Sequence, residues 1–268
     1  MREHIYNQNP IGVFDSGIGG LTVVRELRKK LPNESIIYFG DTARVPYGTK
    51  SRETIIKFAR EDIKFLLTYN VKIIVSACFS VSSNALPNLV SEFDIPIIGM
   101  ISPGVEAVKG KSYKSIGVIG TQATIESGMF EKKLKESLGT VRIYSRTCPL
   151  FVPLAEEGWN RGKVPHLVAE EYLSPLVKKG IAALILGCTH YPILYSVIKK
   201  VIGNEVDIIE PGKVVANMIK DFLRENCMES QGNGSLKIFL SDIPRGFTSV
   251  AKNFLGHPVE DIHLALSE

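Results

Sequence analysis

Hydrophobic residues along the chain gather into short β-branched runs separated by longer stretches with helical spacing. The runs predict strands at Ile11–Phe14, Ile36–Phe39, Lys72–Ser76, Ile97–Met100, Ser115–Ile119, Arg142–Ser145, Ala183–Leu186, Val206–Ile209 and Leu236–Leu240. Their apolar character is nearly continuous, as suits strands covered on both faces. Amphipathic stretches between them predict helices at Leu21–Leu31, Ser51–Tyr69, Ile125–Leu138, Val164–Lys179 and Lys213–Arg224. In the second, Ile55, Ile56, Ala59, Ile63, Leu66 and Leu67 keep to one helical face. Strand–helix alternation of this kind predicts an α/β fold built on mostly parallel sheets with right-handed crossovers.

The two halves of the pattern resemble each other. Gly12–Gly17 and Gly117–Thr121 both run from a strand into a small, hydroxyl-bearing loop. Further on, Ser76-Ala77-Cys78 follows one apolar strand and Leu186-Gly187-Cys188 follows another. Open parallel sheets bind ligands beyond the carboxyl ends of their strands. Two halves facing each other would bring both thiols to one cleft. Short matches also arise by chance, so a duplication and a coincidence both stay open.

Composition narrows the classes. At 268 residues, with 44% hydrophobic and 22% charged, the chain is an ordinary globular one, long enough to bury a core without staples. Its net charge of +4 is mild, and its basic runs lack interleaved aromatics, which argues against a nucleic-acid partner. No apolar run is long enough for a membrane span, and the charged start MREHIYNQNP is not a secretory signal. Cys78, Cys148, Cys188 and Cys227 lie far apart with no C-x-x-C pair, which disfavours disulfides, a zinc site and a thiol-redox role. A reduced, cytoplasmic protein is expected. The sequons at Asn33 and Asn233 carry little meaning in that compartment.

Among the motifs, Gly17-Ile18-Gly19-Gly20 follows a strand and precedes a helix, but the last position of a G-x-G-x-x-G is Thr22. Asp15 would repel a pyrophosphate, and no P-loop occurs, so NAD and ATP are rejected. A tight turn that presents Asp15 and Ser16 is preferred, its glycines permitting close backbone approach. Cys188-Thr189-His190-Tyr191-Pro192 says more: Pro192 suits a first helical turn, leaving the preceding residues in a loop with free N–H groups. A thiol there, with a histidine two positions on, has the setting of a reactive cysteine. Cys78 on its own reads more as a buried apolar side chain than as a reactive thiol. Cys148 and Cys227 read as structural, and His4, His166, His257 and His263 show no ligand spacing. Asp41–Gly48 (DTARVPYG) divides evenly between a plain loop and a ligand-facing one.

Together these segments resemble the glutamate racemases, cofactor-independent members of the aspartate/glutamate racemase family. The resemblance rests on GVFDSGIGG at 12–20, DTARVPYG at 41–48, Ala77-Cys78, IGVIGTQATIES at 116–127, CPLFVPLAEEG at 148–158 and LGCTHYP at 186–192. It runs from about residue 10 to 225, in the family's order. The resemblance implies inversion of Cα by two cysteines without metal, PLP or nucleotide, supplying D-glutamate for peptidoglycan. By position, Cys78 corresponds to the base for D-glutamate and Cys188 to the base for L-glutamate. Asp15 supports the first thiol and His190 the second, with a glutamate of the CPLFVPLAEEG segment assisting, Glu156 first and Glu157 as the alternative. Substrate contacts are implied at Asp15, Ser16, Tyr47, Gly48, Phe79, Ser80, Thr121, Thr124, Thr189 and His190. Thiolates suit the task because their pKa can be tuned near working pH.

One departure stands out. After its first cysteine the family has Asn followed by Thr or Ser, whereas this chain has Phe79-Ser80. Phe supplies neither the donor nor the acceptor of the amide. This leaves open a weak racemase, or a glutamate-binding family member without turnover. An aspartate or hydantoin racemase relative is the nearest rival enzyme, and Cys188-Thr189-His190 speaks against the aspartate type. The expected architecture is two similar α/β domains, 1–97 plus 209–268 and 98–208, with the active site between them. A homodimer is in keeping with the family.

Overall fold

The computed structural model describes residues 8–265. Its strands are β1 (Ile11–Asp15), β2 (Ile36–Gly40), β3 (Ile73–Ser76), β4 (Ile97–Ile98), β5 (Ser115–Gly120), β6 (Arg142–Thr147), β7 (Ala183–Gly187), β8 (Asp207–Ile209), β9 (Leu236–Leu240) and β10 (Ile262–Leu264). They form two sheets, one ordered β10-β9-β2-β1-β3-β4 and the other β6-β5-β7-β8. Every pairing is parallel. Helices flank both sheets, which is why β1, β2, β3, β5 and β7 are buried from end to end.

The sheets share a local order. β1 lies between β2 and β3, and β5 lies between β6 and β7. Cys78 comes just beyond β3 and Cys188 just beyond β7, each on the strand after the central one in its sheet. The recurrence seen in the sequence thus has a spatial counterpart.

Apolar patterning located the strands more closely than the helices. All nine predicted runs agree with strands to within two residues, although Ile97–Met100 is a strand only at Ile97–Ile98, because a helix Ile101–Glu106 begins soon after it. The edge strand β6 is less covered than the central strands, and its Arg142 and Ser145, on opposite faces, are exposed. The single helix expected over Ile125–Leu138 is two helices, Gln122–Glu126 and Met129–Leu138. Gly128 breaks it, with φ of 65°, a left-handed conformation that glycine adopts without strain. Helices Phe79–Asn84, Phe151–Glu156, Tyr195–Ile202 and Phe247–Leu255 and strand β10 lay outside the predicted elements. Among the described residues, no helix is long and apolar enough to cross a membrane. His4 falls outside the described residues.

Candidate active site

The carboxyl ends of the central strands from the two sheets border one small cavity of about 30 Å³, a closed cleft rather than an open bowl. The first sheet contributes Asp15 and Ser16 after β1, Val45–Gly48 after β2, and Cys78, Phe79 and Ser80 after β3. The second contributes Thr121 after β5, Val152, and Cys188, Thr189 and His190 after β7. Both thiols therefore reach one cavity from different sheets. Of the residues singled out in the sequence, Thr124 and Glu156 do not line it. Thr124 stands behind Thr121, the two hydroxyls 3.0 Å apart, and Glu156 stands behind His190.

On the side of the first thiol, Asp15 ends β1 and is almost fully buried. Its Oδ2 accepts a hydrogen bond of 2.9 Å from Gly20 N, and its Oδ1 has no partner among the described residues. Burial raises the Asp15 pKa, opposed by the charge of His190 and by neighbouring backbone N–H groups. Cys78 caps the helix Phe79–Asn84, its carbonyl accepting from Ser82 N at 2.9 Å and from Ser82 Oγ at 2.8 Å. Burial, reinforced by the Asp15 carboxylate, pushes the Cys78 thiol up to about 12. The Gly17–Gly20 turn is held from below by Tyr38, whose hydroxyl donates to Gly17 O at 2.7 Å. No signal in the sequence marked Tyr38, which sits inside an apolar strand.

The second thiol has the opposite surroundings. Cys188 Sγ lies 3.8 Å from His190 Nδ1, and His190 Nε2 lies 2.9 Å from Glu156 Oε1. Burial works against the imidazolium, but hydrogen bonding and charge from Cys188 and Glu156 win and raise His190 to about 10. Glu156, rather than Glu157, is the carboxylate in contact. The ring is further held edge-on by Phe254, 5.3 Å between centroids. A negative group thus sits beside one thiol and a positive one beside the other.

Close packing explains two of the motif glycines. A Cβ on Gly19 would lie 2.2 Å from Thr189 Oγ1 and 2.5 Å from the His190 ring; one on Gly20 would lie 2.6 Å from Asp15 Cβ. The turn after β1 is therefore pressed against both the first carboxylate and the loop after β7. Thr22 adds to this contact, its hydroxyl 2.9 Å from the carbonyl oxygens of both Gly19 and Thr189. Across the cavity, Ser80 Oγ and Thr121 Oγ1 are 2.9 Å apart, and Asn84 Nδ2 donates to Ala123 O at 2.9 Å.

Residues 19–219 match the Asp/Glu/hydantoin racemase family. The chain belongs to that family. Among individual members, the glutamate racemase of Geobacter metallireducens is 44% identical over 94% of this chain and 95% of its own. That of Persephonella marina is 46% identical, with 95% of each chain covered. The crystal structure of glutamate racemase from Francisella tularensis in complex with D-glutamate superimposes with a TM-score of 0.92 at 43% identity, covering 97% of this chain and 98% of that one. Two parallel sheets flanked by helices are the architecture this racemase family shares with the present chain.

The remaining thiols of this racemase family member stand apart from the cavity. Cys148 is buried, burial raises its thiol pKa, and its carbonyl accepts from Tyr191 Oη at 2.9 Å. Cys227 is exposed. Phe79 borders the cavity yet is 4% exposed, its ring stacked on Phe130 at 6.2 Å in the main core.

Proposed function

We propose that this protein is a glutamate racemase that interconverts L- and D-glutamate by proton transfer between two cysteines, and that it supplies D-glutamate for peptidoglycan. The observation that carries the reading is the pair Cys78 and Cys188, both buried and delivered from different sheets into one cavity. An amino-acid Cα–H is a very weak acid, and inversion needs a base on one face with an acid on the other. In this reading Cys78 removes the proton from D-glutamate and Cys188 from L-glutamate, each returning a proton to the carbanion left by the other. Asp15 serves the Cys78 side. His190, oriented by Glu156, serves the Cys188 side. Ser16, Gly48, Ser80, Thr121 and Thr189 offer hydroxyl and backbone N–H groups to the substrate carboxylates, and donors on the α-carboxylate stabilise the charge that develops there.

Phe79 does not displace any of these groups. Its ring is packed on Phe130, and the thiols, Asp15 and His190 are retained beside it, a constellation that favours turnover over binding alone. We further infer that the two sheets form two domains, divided near residues 98 and 208, with the cavity between them. Incubation with L-glutamate in D2O, without added cofactor, tests the function. Exchange at Cα accompanied by inversion, and lost in both Cys78→Ala and Cys188→Ala, is the expected result. Glutamate binding without any exchange would overturn it.

A further inference from the structure

Behind the Val45–Gly48 wall of the cavity lies a polar cluster that no step of the proton transfer uses. Tyr47 is fully buried, and its hydroxyl contacts Asp41 Oδ2 and lies 3.1 Å from Asp62 Oδ2. Both carboxylates are fully buried. Arg44 spans them, with Nε 2.6 Å from Asp41 Oδ2 and a terminal nitrogen 3.2 Å from Asp62 Oδ1, and also contacts Glu61. Its guanidinium stands 4.2 Å over the Phe58 ring. Ser241 Oγ donates to Asp41 Oδ1 at 2.8 Å.

We propose that Asp62 and Arg44 are positioning residues for substrate binding, which hold the Val45–Gly48 wall in place through the Tyr47 hydroxyl. The proposal takes its substrate, glutamate, from the reading above. The wall is tightly gauged: a Cβ on Gly48 would lie 2.7 Å from Thr121 Cβ, and one on Gly17 would lie 3.2 Å from Val45. The segment thus spans from the turn after β1 to the loop after β5. A shift of its anchor would be felt on both sides of the cavity.

Proton counting sets the state of the cluster. The Tyr47 hydroxyl has one proton and faces two carboxyl groups, so it can donate to only one of them. With the Tyr47 proton given to Asp41, which also holds Arg44 and Ser241, a protonated Asp62 can in turn donate to Tyr47 Oη while its other oxygen accepts from Arg44. Burial and the neighbouring Asp41 charge favour that neutral form of Asp62. An asparagine at 62 reproduces it, with an N–H toward Tyr47 and a carbonyl toward Arg44. An alanine does not.

The experiment compares Asp62→Ala, Asp62→Asn and Tyr47→Phe by steady-state kinetics with glutamate and by amide hydrogen exchange across residues 43–49. Asp62→Ala and Tyr47→Phe should raise KM about tenfold while kcat stays within about threefold, since the interaction lost is one of binding. Exchange should accelerate in that segment. Asp62→Asn should recover most of the loss in both readouts. An Asn variant as impaired as the Ala variant, a fall in kcat at constant KM, or unchanged exchange in folded variants would overturn the proposal. Should Asp62→Ala not fold, Tyr47→Phe removes the hydroxyl alone and stands in for it. A wild-type protein that fails to racemise glutamate defeats the substrate reading instead, and the exchange pattern still decides the anchor.

Discussion

Ser80 Oγ and Thr121 Oγ1, 2.9 Å apart, form a hydrogen bond between the two sheets at the rim of the cavity. Thr121 also accepts from Thr124 N at 3.3 Å and meets the Thr124 hydroxyl, so its own hydroxyl is oriented before any substrate arrives. Orientation of this kind lowers the cost of binding. Thr121→Val keeps the shape and removes the hydroxyl. It should raise KM for glutamate about tenfold, the effect of one lost hydrogen bond to a charged group; steady-state kinetics in both directions would show it, and an unchanged KM would remove Thr121 from the binding set.

His190 sets a pH dependence of stability. Its folded pKa of about 10 lies above the ordinary 6.5. The stability it contributes is therefore fully present below pH 6.5 and is lost as pH rises through about 10. Replacing it by glutamine should lower Tm most at pH 6 and progressively less toward pH 10. Thermal melts of the two proteins across that range check the sign; a gap that widens with pH would contradict it.

Cys78 should titrate late in the empty protein. Its thiol, pushed up to about 12, stays protonated through neutral pH, so stability tied to the neutral thiol is present below the ordinary 9 and lost as pH climbs toward 12. Thiolate absorbance compared between wild type and Cys78→Ser should show no contribution from Cys78 below pH 9. Asp15→Asn removes the neighbouring charge and should move that titration downward. No movement would mean that burial alone sets it.

Gly19 offers a steric test. A methyl group there would overlap Thr189 Oγ1 and the His190 ring; Thr22 holds the Thr189 carbonyl, and Glu156 and Phe254 hold the ring. Gly19→Ala should cost about 1–3 kcal/mol of stability and reduce kcat by about 10²-fold through displacement of His190. Chemical denaturation together with kinetics would reveal both losses; an Ala variant with wild-type turnover would mean the loop after β7 can retreat freely.

Phe79→Asn, the change toward the family residue, should destabilise this chain. The ring sits in the core against Phe130, and an amide placed there loses that contact and finds no obvious partner. A loss of about 1–3 kcal/mol is expected from burying an unpaired polar group. Denaturant midpoints measure it, and a gain in stability would show that the amide reaches the cavity.

Legibility followed physical origin. Buried parallel strands announce themselves by continuous apolar runs, so β1, β2, β3, β5 and β7 were plain in the sequence. The short helices were not: Phe79–Asn84 and Phe151–Glu156 are too brief to show a period, and packing rather than propensity holds them. The cysteines, Asp15 and His190 were found because their motifs lie directly after strands. Tyr38 and Asp62 escaped notice, and Arg44 was seen only as part of its motif, because their significance lies in partners across space. Asp62 in particular follows Ile55–Ala59 on a helix whose apolar face gives no hint that a buried carboxyl belongs there. Glu156 and Glu157 could be separated only by geometry, since one carboxylate meets His190 and its neighbour does not.

Among the described residues the cavity lining includes no lysine or arginine, and the positive charge of His190 is faced by the carboxylates of Asp15 and Glu156. Recognition of a dicarboxylate here falls to dipoles that act only on contact. Such dipoles exert little pull at a distance, so any electrostatic steering of substrate would come from the surrounding surface of this chain of net charge +4 and not from the lining. Salt would then act on the rate of encounter and leave the hold on bound glutamate largely untouched.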